Sequence, residues 1–462
     1  MNDLTVPQTV LFPDLFDRPL VATFDQAHAS SDGGAILLKA ADRSLGLTTA
    51  LAQALPDPRT ATRVTHAWAD ILAQRVFGIA CGYPDANDAD GLADDPIQKL
   101  LLDRDPMTGG RLASQPTVSR FENAVTPRAL YALGEALTDT VIARHRRRKR
   151  QAQRITIDLD VTEDATHGAQ QLTFFNGFYG GWCYLPLMAF LTMDDEPRQY
   201  LVAAVLRPGN AATAVGAHGL LRRLIPKVWA AFPRARVRVR LDGGFATPAL
   251  FDELEAAGVE YVVAMAKNTV LEATAESLLA EARTQAATTG ASARVFGETR
   301  YQAKTWPHPR RAVIKAEVVV HPGRDLRDNP RIVITNLRHR PERLYREIYC
   351  ARGDSENRLK ELHHDLAVGR TSCARFWANQ VRVTLTAAAY VLLQELQLRA
   401  DRTSFARAQV GRLRLVLLKI GVRVTRSVRR FVLHLPRAHP DPHALTRRCQ
   451  FGPLACFGLP LA

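Results

Sequence analysis

The chain has 462 residues, 47% of them hydrophobic, and carries 61 Lys and Arg against 46 Asp and Glu, a net charge of +15. That apolar content supports large cores in two to four domains, and the positive balance points to a polyanionic partner. A membrane span is not expected, because no stretch reaches 18 uncharged apolar residues.

The chain starts without a basic segment leading into an apolar core, so no secretory leader is expected. The expected setting is the cytoplasm, at the nucleoid. The six cysteines, Cys81, Cys183, Cys350, Cys373, Cys449 and Cys456, form no C-x-x-C pair and read as thiols rather than zinc ligands.

Residues 1–143 read as mostly helical. Segments 35–52 and 65–79 have helical apolar spacing, and 82–95, rich in Gly, Pro, Asn and Asp, reads as a loop. Segment 114–123 reads as a helix with Pro116 in its first turn and capping-box spacing between Ser119 and Glu122. Gln115, Thr117, Ser119 and Arg120 are side chains that reach base edges or phosphates, which allows a recognition helix; an ordinary capped surface helix fits the same residues. Residues 144–150 read Arg-His-Arg-Arg-Arg-Lys-Arg, a solvated linker that also suits phosphates, and 144–153 is taken as a linker.

The period then changes to that of strands. Ile155, Ile157 and Leu159 alternate with Thr156, Asp158 and Asp160, so both aspartates share one face. Strands are expected at 171–178, 184–193 and 198–207, a helix at 215–231, a strand at 237–241 ending at Asp242, a helix from 247 to Gly258, and a strand at 259–266. An antiparallel meander followed by helix, strand, helix and strand is the order of an RNase H-like core, here with one strand too many before the first helix. A helix at 271–287 and strands at 293–306, 311–320 and 331–335 read as an inserted β-domain, 271–340, within a core spanning 154–270 and 341–400. Helical spacing resumes over 345–398. The tail, 401–462, is basic at 412–430 and at 446–448.

In an ideal helix Tyr349, Arg352 and Glu356 share a face, with Lys360 one turn on and His363 seven residues past Glu356. Such a stripe can be a surface salt-bridge ladder. Its company with Asp160 and Asp242, one at each of two strand ends, instead suits divalent ions about 3.5–4 Å apart acting on a phosphodiester. A glycosidase carboxylate pair would leave the +15 charge unexplained.

Here the chain resembles the DDE transposases of bacterial insertion sequences. Their signature around the catalytic glutamate, Y-x-x-R-x-x-x-E-x-x-x-x-x-x-K, is matched at Tyr349, Arg352 and Glu356 and departs at His363, which stands where Lys is expected. Segments 158–162, 174–177, 241–245, 334–337 and 376–380, together with 114–123 and 417–430, resemble the thirteen-eighty insertion-sequence family, so the likeness spans nearly the whole chain.

The resemblance implies that Asp160, Asp242 and Glu356 are catalytic and hold two Mg²⁺, with Mn²⁺ substituting. The D-x-T pattern favours Asp160, with Asp158 the alternative first ligand. Tyr349 and Arg352 would contact DNA beside the scissile phosphate, and Lys360 could replace the missing lysine. The implied reaction is hydrolysis at the element's end, followed by attack of the freed 3′-hydroxyl on target DNA. The implied partners are double-stranded DNA, as terminal inverted repeats and target, and a second copy of the chain as a homodimer on DNA. A structure-specific nuclease, or a catalytically dead DNA-binding repressor, remains as an alternative. Trp306 lies among basic residues in the β-rich segment, so it is expected either to stack on an extruded base or to pack within the β-domain.

Overall fold

The computed structural model describes residues 9–11, 17–18, 20–23, 25–321, 323–401 and 403–438; the basic segment 446–448, Cys449 and Cys456 lie outside them. The expected helix at 35–52 is two helices, Ile36–Leu45 and Leu47–Ala54, because Gly46 between them takes φ 74°. α1, Trp68–Cys81, ends at Gly82, whose φ of 96° turns its N–H back onto the Gly78 and Ile79 carbonyls. The loop expected at 82–95 contains a short helix, Asp88–Leu92.

α2, Gln115–Ala124, has Ser114 at its N-cap and Pro116 in its first turn. Ser119 and Glu122 lie inside it, so the expected capping box does not form. Glu122 is buried instead, 3.3 Å from Arg75 Nε on α1 and 2.8 Å from Arg382 Nε. α3, Pro127–Arg148, absorbs most of the basic run read as a linker. Acidic partners explain this: Arg144 pairs with Glu395, Arg148 with Glu196, and Lys149 with Asp194 and Glu196.

The centre is a nine-stranded sheet. Its main strands are β1 Arg154–Val161, β2 Leu187–Met193, β3 Tyr200–Val205, β4 Arg236–Leu241, β5 Glu260–Met265, β6 Ala293–Tyr301, β7 Arg310–Val319 and β8 Arg331–Thr335. β1, β2 and β3 form an antiparallel meander, and β4 and β5 run parallel to β1. Helices α4, Ala217–Ala231, and α5, Pro248–Ala256, make the crossovers that parallel strands require. The spatial order is β3-β2-β1-β4-β5, continued by antiparallel β8, β7 and β6.

The surplus meander strand is accounted for. Residues Phe174–Asn176 leave the main sheet and pair with Gly181–Tyr184, which also pairs with Asp164–Ala165, in a separate three-stranded sheet. The strands at 293–335, expected as a separate inserted β-domain, extend the same sheet in space, covered by α6, Thr269–Thr289.

The helical run expected over 345–398 is interrupted. Wide π turns at Leu344–Tyr349 and Glu361–Asp365 and a tight turn at Cys350–Arg352 flank α7, Gly353–Lys360. After a break at 366–375, α8, Phe376–Arg399, runs almost wholly buried against β3, α1 and α3. Near the tail, Val422–Ser427 pairs with Arg430–His434 and with Ala29–Ser30. Among the described residues, no helix is long and apolar enough to cross a membrane.

Candidate active site

β1 and β4 are neighbours in parallel register, with Asp158 opposite Arg240. Parallel pairing puts the carboxyl ends of both strands on one rim of the sheet, where Asp160 and Asp242 sit. Asp242 caps the turn Gly243–Phe245, accepting the Gly244 N–H at 2.8 Å. Asp160 accepts the Val161 N–H at 3.0 Å and the Ser355 hydroxyl at 2.9 Å. Both carboxylates converge on one atom, Arg352 Nη2, at 3.0 Å from Asp160 Oδ1 and 3.2 Å from Asp242 Oδ2. Two carboxylates from adjacent strands thus share a single internal cation.

The electrostatics follow from burial. Burial pushes the Asp160 carboxyl up, against the pull of Arg352. Burial opposes the charge on Arg352, yet Asp160 and Asp242 outweigh it and hold its pKa above the usual arginine value. Arg352 Nε, also buried, has no hydrogen-bond partner, so the guanidinium is not saturated by the two acids.

Asp158 differs from Asp160 although it shares its face. It is fully buried, held by Arg240 through two 2.8 Å hydrogen bonds and by Gln199 Nε2 at 2.9 Å. Arg240 also donates to the Ile348 carbonyl at 2.9 Å, tying the sheet to the segment before α7. Asp158 is thus committed to Arg240 and Gln199 inside the sheet, whereas Asp160 lies at the rim beside Asp242.

The third carboxylate is not gathered in. Glu356 is exposed on α7 and makes no hydrogen bond or ion pair among the described residues, while its neighbour Ser355 faces Asp160. Arg352 and Glu356 are one α-helical turn apart and a tight turn joins Tyr349 to Arg352, so the expected spacing holds locally, yet Glu356 meets neither aspartate. Tyr349 packs beside Tyr345, ring centroids 5.4 Å apart, against an apolar cluster with Val262, Val313 and Val333. Among the described residues, no group of three or more His, Cys, Asp or Glu is arranged to hold a metal ion. The donor set at the rim is nevertheless all oxygen, as a hard divalent cation requires, and it already holds a positive charge.

His363 Nε2 lies 2.6 Å from Thr162 Oγ1, joining the π turn after α7 to the end of β1. Burial, then the nearby His364, pushes its pKa down, which disfavours the charged imidazolium at this position. Lys360 is exposed on α7, and Arg120 is exposed on α2 without a hydrogen-bond or ion-pair partner among the described residues. Trp306 is only 5% exposed. It packs edge-on to Phe251 and Tyr301, each at 5.3 Å, with the Arg310 guanidinium 5.0 Å from its ring centroid. Of its two expectations, packing is the one the structure shows, and the ring offers no open platform for a base.

Ser355 and Arg240 were not singled out from the sequence. Arg240 had a visible signal, three arginines alternating along 236–240 on a strand flanked by acidic strands; Ser355 had none.

A family model described as Transposase DDE domain group 1 matches residues 12–451, and the chain belongs to that family. No curated protein gives a significant match. Among solved structures, the chain is similar to that described as the cryo-EM structure of piggyBac transposase synaptic complex with hairpin DNA. The identity is 10% and the TM-score 0.37, with 84% of this chain and 80% of that chain covered. At that distance no residue role transfers.

Proposed function

We propose that this member of the DDE transposase family cuts the ends of a mobile DNA element and joins them to target DNA, as an enzyme of the thirteen-eighty insertion-sequence type. The observation that carries the reading is the convergence of Asp160 and Asp242, from adjacent parallel strands, on the one guanidinium of Arg352. The strand order β3-β2-β1-β4-β5, with crossover helices before β4 and β5, supports an RNase H-like core with β6 to β8 as its β-rich insertion.

Asp160 and Asp242 are the residues that would hold Mg²⁺ or Mn²⁺, and Glu356 is the third carboxylate of the proposed centre. A divalent pair supplies Lewis-acid stabilisation of the attacking and leaving oxygens of an in-line displacement, which suits both the hydrolytic and the joining reaction. Ser355 orients the Asp160 carboxylate, and Arg352 offsets part of the acid pair's charge in the free protein. With DNA present, Arg352, Tyr349 and Lys360 are the proposed contacts to the strand, the guanidinium exchanging a carboxylate for a phosphate at little electrostatic cost. Arg120 on α2 is a proposed contact of the helical N-terminal region.

The test is nicking of DNA carrying the inverted repeats that flank the coding region, with and without Mg²⁺. The reading predicts metal-dependent strand cuts at the repeat ends that disappear in Asp242→Ala. Cleavage without metal, or full cleavage by Asp242→Ala, would remove the proposed centre.

A further inference from the structure

The hairpin that follows β1 combines two features that soluble surfaces seldom tolerate together, dense aromatic exposure and a rigid frame. Phe178 is 89% exposed, and Phe175 and Trp182 are each 57% exposed, with Phe174 and Tyr179 beside them. Contiguous apolar surface of this kind on a soluble protein marks an interaction site. Phe175 and Trp182 are direct cross-strand partners, their ring centroids 6.5 Å apart, and at the tip Phe178 and Tyr179 meet edge to face at 4.9 Å.

The frame is specified residue by residue. Asn176 Oδ1 accepts the Phe178 N–H at 3.0 Å, and its amide donates to the Gly209 carbonyl at 2.9 Å. Gly209 must be glycine: a Cβ there would lie 2.1 Å from the Cys183 carbonyl oxygen and 2.6 Å from that of Phe174. Leu172 takes φ 61°, a strained conformation for a branched residue, which the surrounding contacts must hold. The rings are therefore presented to solvent by a fixed scaffold.

The position limits the partner. The hairpin roots four residues after Asp160, at Asp164, and the Thr162 N–H is bonded to the Pro186 carbonyl at its other root. Its segment 163–182 contains no Lys or Arg, and Asp164 within it is buried, so it offers phosphates little electrostatic attraction. What it offers is ring faces and edges. A paired duplex hides the faces of its bases, so such rings can take only bases that have left the stack. Cations for the adjoining phosphates stand off the hairpin: Arg375 is exposed next to Ala374, whose carbonyl accepts the Gln171 N–H at 2.9 Å.

We propose that the hairpin 164–184 is a stacking platform for unpaired bases of the DNA strand at the Asp160–Asp242 rim, with Phe178 and Trp182 as its principal rings. The assignment rests on the proposed function for the presence of a strand there. It also relocates base stacking from the buried Trp306 to a different part of the chain.

The test uses a short duplex with a few unpaired nucleotides at one end, including 2-aminopurine, and the same duplex blunt-ended, both without metal. The full chain should bind the frayed duplex more tightly and quench the 2-aminopurine fluorescence. Phe178→Ala and Trp182→Ala should each weaken binding to the frayed end roughly 5- to 150-fold while leaving blunt-end binding unchanged. That loss should persist at high salt, because stacking releases few counterions. Unchanged affinity and quenching in both variants would overturn the proposal. So would variants that convert a dimer to a monomer in sedimentation but still quench, since the patch would then be a contact between copies of the chain. Because no metal is present, failure of the nicking reaction is read separately and leaves this result standing or falling alone.

Discussion

The middle of the central sheet and its rim use the same residue types to opposite ends. In the middle, Asp158 and Arg240 form a closed pair: both carboxylate oxygens and all three guanidinium nitrogens of the pair have partners, and both side chains are buried. At the rim, two residues along the same strand, Asp160 and Asp242 share Arg352, whose Nε is left without a partner, while the Asp242 side chain is 35% exposed. A saturated ion pair fixes a structure, whereas an unsaturated one can exchange partners. The difference lies not in residue type or strand face but in how completely the surroundings satisfy the charges.

The largest expected effect is on chemistry at the rim. Asp242→Ala should lower metal-dependent nicking by about 4 kcal/mol of transition-state stabilisation, roughly a thousand-fold, while the urea midpoint stays near that of the parent. Glu356→Ala should do the same. Since Glu356 touches neither aspartate in the free protein, unaltered nicking by that variant would cut the centre to two carboxylates.

Breaking the closed pair should act on stability instead. Asp158→Ala strands a buried guanidinium and should cost about 3–5 kcal/mol in urea unfolding. Replacing both partners, Asp158→Leu with Arg240→Met, should recover most of that loss, because the isolated charge disappears. A double variant as unstable as the single one would mean that the pair contributes more than charge balance.

A smaller effect belongs to Asp164, at the root of the hairpin. Burial pushes its carboxyl up to about 7, against the Thr371 hydroxyl that bonds it. One hydroxyl within 3.0 Å of both carboxyl oxygens can donate to only one of them, an arrangement suited to a protonated acid. Because the folded state holds this proton more tightly than the unfolded chain, stability should fall as pH rises from about 4 to about 7 and stay lower above that. Asp164→Asn should flatten this slope in urea titrations across the window. A slope unchanged in the variant would place the titration elsewhere.

The order of elements from 184 to 266 could be read from the sequence because hydrophobic period and crossover helices constrain it strongly, whereas 171–178, read as a strand of the same meander, pairs in a separate sheet. Alternation at 155–160 put Asp158 and Asp160 on one face but could not tell them apart. That distinction depends on Arg240, which is remote in sequence and adjacent only once β1 and β4 pair. The basic run at 144–150 read as a linker because its acidic partners, Asp194, Glu196 and Glu395, lie in other elements. Trp306 was open to a surface reading since its charged neighbours suggested exposure. In the fold Arg310 turns its charge to Asp252 and Glu255 and lays its guanidinium over the ring. The π turns around 344–365 left no sequence trace, and helical spacing alone could not show that Ser355, rather than Glu356, meets Asp160 in the free protein.

The most direct test sets Asp160→Asn beside Asp158→Asn in Mg²⁺-dependent nicking of repeat-end DNA, with rates normalised to the folded fraction from urea titration. The account predicts that Asp160→Asn folds and fails to cut, while Asp158→Asn is destabilised yet cuts normally per folded molecule. An active Asp160→Asn beside a well-folded, inactive Asp158→Asn would contradict it and move the centre into the middle of the sheet.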